Sequence, residues 1–185
     1  GVAAQLGLTT PAVLGFASEA EARTAAARVA PLILSGEVDA LVLPDRASAP
    51  LIATMLQQLG VRRGSLQIIG SADWSGDTAI QQTPLLYGAI FPAVDEAGYR
   101  AILPQYEAKF AGRPHALATI SYTATILANV SALSRSEPPF QRSQITLPGG
   151  FNGRDGVFRF RSDGTSDYAL AIRSVTESGS SQLEG

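Results

Sequence analysis

Cysteine is absent from the 185 residues, and histidine, lysine, tryptophan and methionine occur once each. Without cysteine there is no thiol nucleophile, no disulfide framework and no thiolate zinc site. The single histidine, His115, excludes a histidine-rich metal cluster within the chain. A Ser-His-Asp triad would have to use it, and the sequence sets no serine beside it; it reads instead as a residue at a helix N-terminus. Charge is also scarce. Charged residues make up 16% of the chain, the net charge is -2 and the pI is about 5.4. A nucleic-acid binder carries a basic stripe, but here the longest basic run is Arg62-Arg63, so nucleic acid is not an expected partner. No membrane-length apolar run occurs. Nor is there a Gly-x-Ser-x-Gly elbow, a phosphate-binding loop or a Gly-x-Gly-x-x-Gly fingerprint. Residues 151–156 are rich in amide and carboxyl oxygens but lack EF-hand spacing. They read as turn chemistry around Asn152-Gly153 and Asp155-Gly156. These absences point away from an enzyme, a cofactor or a bound metal.

Apolar residues are plentiful, at 45% of the chain, enough for a packed core. The opening, residues 1–8, reads as the tail of a helix ending at Gly7, with more chain expected upstream. Residues 12–16 form a short apolar run expected to be a strand. Ser18 with Glu21 fits a capping box that opens a helix. Ala22, Ala25, Ala26 and Val29 then recur at helical spacing until Gly36. Residues 39–44 read as a buried strand. Ser48 is expected to cap a helix with Pro50 in its first turn and Leu51, Met55, Leu56 and Leu59 on one face. Residues 66–70 and 86–91 read as further strands. Alternating strands and helices with short links imply a Rossmann-like parallel α/β sheet with helices on both faces.

Beyond residue 95 the pattern changes. A helix is expected over 99–110, with Ile102, Leu103, Tyr106 and Phe110 on one face and Pro104 as an interruption or start. A long apolar helix is expected over 117–133, with Ile120, Ala124, Leu127 and Ala128 inside. Residues 157–161 alternate apolar and basic, and with 168–175 they read as a hairpin. The polar, Gly/Ser-rich stretch 178–185 reads as a flexible tail.

Three segments together carry a resemblance: Phe110-Ala-Gly-Arg-Pro114, then Ala118-Thr-Ile-Ser-Tyr-Thr-Ala-Thr-Ile-Leu-Ala128, then the glycine-rich run from Phe151 to Gly164. Their order and spacing resemble the C-terminal portion of type I periplasmic binding proteins, the leucine/isoleucine/valine-binding-like family. Thr123 departs from that family, which usually has Asp there. The resemblance spans roughly residues 9–175. It implies the C-terminal half of a two-lobed type I periplasmic binding fold. Residues 1–91 would form the core of the second lobe, and 92–148 would return as helices toward the first lobe. Residues 149–177 would be a hairpin rejoining the second lobe. An apolar surface facing that first lobe would favour a dimer or other covering contacts.

In open α/β sheets, ligands sit beyond the carboxyl ends of the strands. The resemblance therefore implies a binding role for Asp45, Arg46, Ser71, Asp73, Trp74 and Ser75, and a hinge at Phe91 and Pro92. Asp73 or Asp45 would meet an ammonium group. Arg46 with Ser71 or Ser75 would meet a carboxylate. Trp74 would supply an aromatic wall. Each residue also has an ordinary use: Asp45 and Asp73 as helix caps, Trp74 as core packing and Arg46 as a solvated loop charge. The implied function is periplasmic capture of an amino acid or similar small polar solute for an ABC permease. The alternative is an envelope lipoprotein, anchored through an upstream region, that regulates a peptidoglycan synthase, as penicillin-binding protein activators do.

Overall fold

The computed structural model describes residues 2–94, 96–115, 118–154 and 156–183. In chain order the elements are helix α1 (Val2–Gln5), helix α2 (Glu19–Leu34), strand β1 (Ala40–Val42), helix α3 (Ala49–Gln58), strand β2 (Gln67–Ile69), a 3-10 turn (Ala72–Trp74), helix α4 (Thr78–Gln81), a second 3-10 turn (Pro84–Leu86) and strand β3 (Ile90–Ala93). Then come helices α5 (Glu96–Phe110), α6 (Ala118–Ala128), α7 (Ser131–Ser134) and α8 (Arg142–Ile145). Strands β4 (Phe151–Gly153), β5 (Gly156–Phe160), β6 (Ser166–Tyr168), β7 (Ala171–Thr176) and β8 (Gly179–Gln182) complete the chain. Two compact units form: residues 1–92 with 172–185, and residues 93–171.

In the first unit, the Ser18 hydroxyl accepts the Glu21 backbone N–H at 3.2 Å, and the Glu21 carboxylate accepts the Ala17 N–H at 2.8 Å. These bonds satisfy N–H groups that a helix start leaves unpaired. Ala22, Ala26, Ala30 and Ile33 then bury one stripe of α2, as four-residue spacing dictates. Ile52, Ala53, Met55 and Leu56 do the same on α3. Strands β1, β2 and β3 run parallel, with Ala40 opposite Gln67, Val42 opposite Ile69, and Ile69 opposite Ile90. The sheet order is β1-β2-β3-β7-β8. Gly88 donates to the Val175 carbonyl and Val175 donates to the Ala89 carbonyl, each at 2.9 Å, which seats the returning strand.

Three expectations for this unit change. Residues 12–16 form no strand, and Val13 is 86% exposed; no strand adds to the outer edge of β1, where the sheet ends. The strand expected over 86–91 starts only at Ile90, because Pro84 opens a 3-10 turn and Gly88 takes a positive φ of 90°. The stretch expected to be a loose tail pairs as β8 over Gly179–Gln182, where Arg173 donates from Nε to the Ser180 hydroxyl and from its Nη2 to the Ser180 carbonyl, both at 2.9 Å. Glu184 and Gly185 lie outside the described residues.

The second unit holds a three-stranded antiparallel sheet, β4-β5-β6. The hairpin expected between 157–161 and 168–175 is therefore divided. Strand β5 pairs with β6, while β7 belongs to the other sheet. Across β5 and β6, Phe158 stacks on Tyr168 at 5.4 Å, with Phe151 and Phe160 within 5.8 Å of Phe158. Helix α5 runs straight through Pro104, and Tyr106 packs on Phe110 at 4.7 Å. The helix expected over 117–133 is shorter, ending at Ala128; Leu117 lies outside the described residues. Its expected inner face is also corrected. Ile120, Ala124 and Ala128 are exposed, whereas Thr119 is buried. The reason is the turn after β4: the Thr123 hydroxyl accepts the Arg154 backbone N–H at 2.9 Å. Helix α5 approaches the same turn so closely that a Cβ on Gly98 would overlap the Arg154 carbonyl. Asp155, part of the expected turn, lies outside the described residues.

Gly98→Ala should therefore force α5 off this turn and cost about 1–3 kcal/mol, read from urea unfolding midpoints. Gly149→Ala, where a Cβ meets nothing within 4 Å, should stay within about 0.5 kcal/mol. Equal costs at the two positions would show that the close approach does not constrain the unit.

Candidate functional site

Because β1 and β2 run parallel, the loops leaving Val42 and Ile69 emerge side by side at one edge of the first unit. Two backbone bonds extend the sheet: Leu43 donates to the Ile69 carbonyl at 2.9 Å, and Gly70 to the Ile90 carbonyl at 2.8 Å. Beyond them the Ser71 hydroxyl donates to the Pro44 carbonyl at 2.5 Å. The same oxygen accepts the Asp73 N–H at 3.2 Å. Ser71 is thus both a clasp between the two loops and the cap of the 3-10 turn.

This clasp brings Arg46 and Asp73 together. The Arg46 Nε lies 3.7 Å from the Asp73 carboxylate, with both side chains more than half exposed. Such a pair is worth at most about 1 kcal/mol, so a ligand can compete for either member. Ser75, two residues after Asp73 on the same loop, is exposed. Phe91 is buried and Pro92 half-buried, at the point where the chain leaves the first unit.

Asp45 does not join this pair. It accepts the Ser48 backbone N–H at 2.8 Å and so caps the turn leading into α3. Ser48, expected as the cap, has helical φ and ψ and makes no capping bond through its side chain. The Asp-x-x-Ser spacing was the available signal, and the capping role falls on its first member. The bonds from the Ser48 side chain and backbone hold the Asp45 carboxyl below its ordinary value of 3.8.

Trp74 is 1% exposed. Its ring covers the bare Cα of Gly70, where a Cβ would overlap the indole, and lies 6.2 Å from Phe91. It is core packing rather than an open aromatic wall. The indole Nε1–H has no acceptor among the described residues. His115 is exposed, and its carbonyl accepts the Ala118 N–H at 2.9 Å, at the start of α6. Among the described residues no group of His, Asp and Glu side chains could hold a metal ion, and no helix is long and apolar enough to cross a membrane.

No family model and no curated relative matches the chain. Solved structures do. A leucine-binding protein, LivK, from Thermotoga maritima is 18% identical, with a TM-score of 0.57 over 85% of this chain and 47% of that one. An ABC transporter solute-binding protein from R. palustris, in complex with benzoate, is 15% identical, with a TM-score of 0.51 over 86% and 45%. The C-domain of LpoA from Haemophilus influenzae, a regulator of PBP1A, is 15% identical, with a TM-score of 0.53 over 86% and 49%. The chain thus has the fold of type I periplasmic binding proteins and spans about half the length of each of these structures.

Two outcomes follow from the geometry. Gly70→Ala should displace the indole, costing about 1–3 kcal/mol and changing the emission of the sole tryptophan; unchanged emission and stability would refute this packing. The Asp45 carboxyl should titrate below 3.8 in the folded protein. Its contribution to stability is then complete above the unfolded value and is lost as pH falls through the lowered one. In Ser48→Ala the midpoint, followed by carboxyl NMR, should move back up; an unmoved midpoint would exclude the side-chain bond as the main cause.

Proposed function

We propose that this chain is the ligand-facing half of an extracytoplasmic solute-binding protein, not an enzyme, which captures an amino acid or similar small polar solute for an ABC importer. The observation that carries this reading is the Arg46–Asp73 pair at the carboxyl ends of two parallel strands. A zwitterion brings one charge for each member: its carboxylate for the guanidinium and its ammonium for the carboxylate. The Ser71 and Ser75 hydroxyls lie on the same loop. Residues 93–171 supply a second argument. Helix α5 buries none of its residues, and Phe110, Ile120 and Ile126 are exposed. Apolar helix faces of that kind need cover, and another lobe would provide it. Phe91 and Pro92 are then the natural hinge between lobes.

A second reading has its own support. Trp74 is buried, so the loops present no aromatic wall to a small ligand. A protein of this fold that acts by touching a partner needs no such wall. That reading makes the chain part of an envelope lipoprotein that regulates a peptidoglycan synthase.

Thermal-shift screening of the protein expressed from its own gene, against amino acids and muropeptides, separates the two. Ligand at about 100 times its dissociation constant should stabilise by about 2.7 kcal/mol. Arg46→Gln and Asp73→Asn should each abolish a selective amino-acid shift while leaving the unliganded melting temperature within about a degree, since exposed pairs add little stability. A shift that survives both substitutions would sink the assigned site. No shift with any solute would sink the transport reading in favour of the regulator.

A further inference from the structure

The opposite end of β2 carries a second concave surface, remote along the strand from the Arg46–Asp73 loops. Helix α3 ends at Gln58, and Gly60 turns the chain with a φ of 93°. Val61 then dives inward to 1% exposure and donates to the Leu56 carbonyl at 3.0 Å. Arg62 and Arg63 follow on the rim. The turn is fixed because Ser65 donates to the Arg62 carbonyl from both its backbone, at 3.1 Å, and its hydroxyl, at 2.7 Å. From the other side, the 3-10 turn Pro84–Leu86 buries Leu85, 4% exposed, and leaves Pro84 exposed and Tyr87 half-buried along the wall. The hollow between them measures about 680 Å³, a size that holds a small organic molecule.

Its charges are unbalanced. The Arg63 Nη1 lies 3.8 Å from the Glu177 carboxylate, and the Arg63 guanidinium sits 6.0 Å from the centre of the Tyr87 ring. Arg62 lines the same hollow and has no ion-pair partner among the described residues. Val61 and Leu85 are buried, so the accessible apolar lining is Pro84 and the Tyr87 ring. One uncompensated guanidinium beside these two rings selects an anion with a hydrophobic body. A bare phosphate would leave the rings without a partner.

We infer that this hollow is a second binding site, separate from the strand-end loops, for a carboxylate bearing an apolar group. The carboxylate pairs with Arg62 and the apolar group rests on Pro84 and Tyr87. Two sources share that chemistry: a free apolar acid and the C-terminal residue of a peptide.

The test is a titration of the 15N-labelled protein followed by two-dimensional NMR. The probes are N-acetylleucine, its uncharged amide, and an acetylated tetrapeptide ending in leucine. N-acetylleucine should give saturable shifts at residues 57–63 and 84–88, at concentrations of order 1 mM. The amide should bind about tenfold more weakly, and Arg62→Gln should weaken the acid by a similar factor. Glu177→Gln should strengthen the acid by freeing Arg63. The tetrapeptide binding tighter than N-acetylleucine marks a peptide terminus as the source; equal or weaker binding marks a free acid. The proposal is overturned if no saturable shift occurs, if the amide binds as well as the acid, or if Arg62→Gln, with its melting temperature unchanged, binds the acid normally. Because these signals report a different end of the strand, they are independent of any solute bound near Arg46 and Asp73.

Discussion

The parallel register of β1 against β2 is the constraint on which the candidate site depends. Parallel strands end at the same edge, so the loops after Val42 and Ile69 must emerge together. Nothing in the local sequence of either loop demands that Arg46 and Asp73 meet, since they lie 27 positions apart. The ladder brings them close, and the bond from the Ser71 hydroxyl to the Pro44 carbonyl sets the final spacing. The wedge of Trp74 on Gly70 stiffens the base of the second loop. The candidate site is therefore polar at its surface and tightly packed just beneath.

The second unit rests on a different device. One turn, at Arg154, is gripped by two helices: α6 through the Thr123 hydroxyl and α5 through the absent side chain of Gly98. The Arg154 guanidinium lies 5.1 Å from the centre of the Tyr122 ring, adding a third attachment. This explains why the polar residues Thr119 and Thr123 turn inward while Ile120 and Ile126 remain exposed. Thr123, where the resembling family usually has Asp, keeps an oxygen acceptor at that position, and here it accepts a backbone N–H.

What could be read from the sequence was what short-range rules decide. The Ser18–Glu21 cap, the alanine stripe of α2, Pro50 at the start of α3 and the parallel strands at 40–42 and 67–69 all follow from spacing within a few residues. The failures needed distant partners. Residues 12–16 look like a strand but find no neighbour to pair with. Residues 168–175 read as half of a hairpin with 157–161, yet β7 lies between β8 and β3, and β3 precedes it by about eighty positions. Helix α6 is apolar on most sides, so no stripe announced its inner face. At the candidate site, the strand-end rule pointed to two loops that the structure sets side by side, with Arg46 and Asp73 paired. It could not tell that Asp45 is committed to a cap, or that Trp74 lies in the core, because burial is a property of the packed sheet.

These two findings bear on what the loops can hold. An exposed ion pair at 3.7 Å contributes at most about 1 kcal/mol, so exchanging its partners for the two charges of a zwitterion costs little. Asp45 is not free for that exchange, since leaving the Ser48 N–H would uncap α3. On the proposed reading, the ammonium of a ligand would fall to Asp73 and its carboxylate to Arg46. With Trp74 sealed beneath Gly70, apolar contact to the ligand's side chain must come from beyond these two loops. A solute held here by charge alone would bind weakly and lose affinity as salt rises. Tight capture therefore requires an opposing surface that closes over the pair and excludes water.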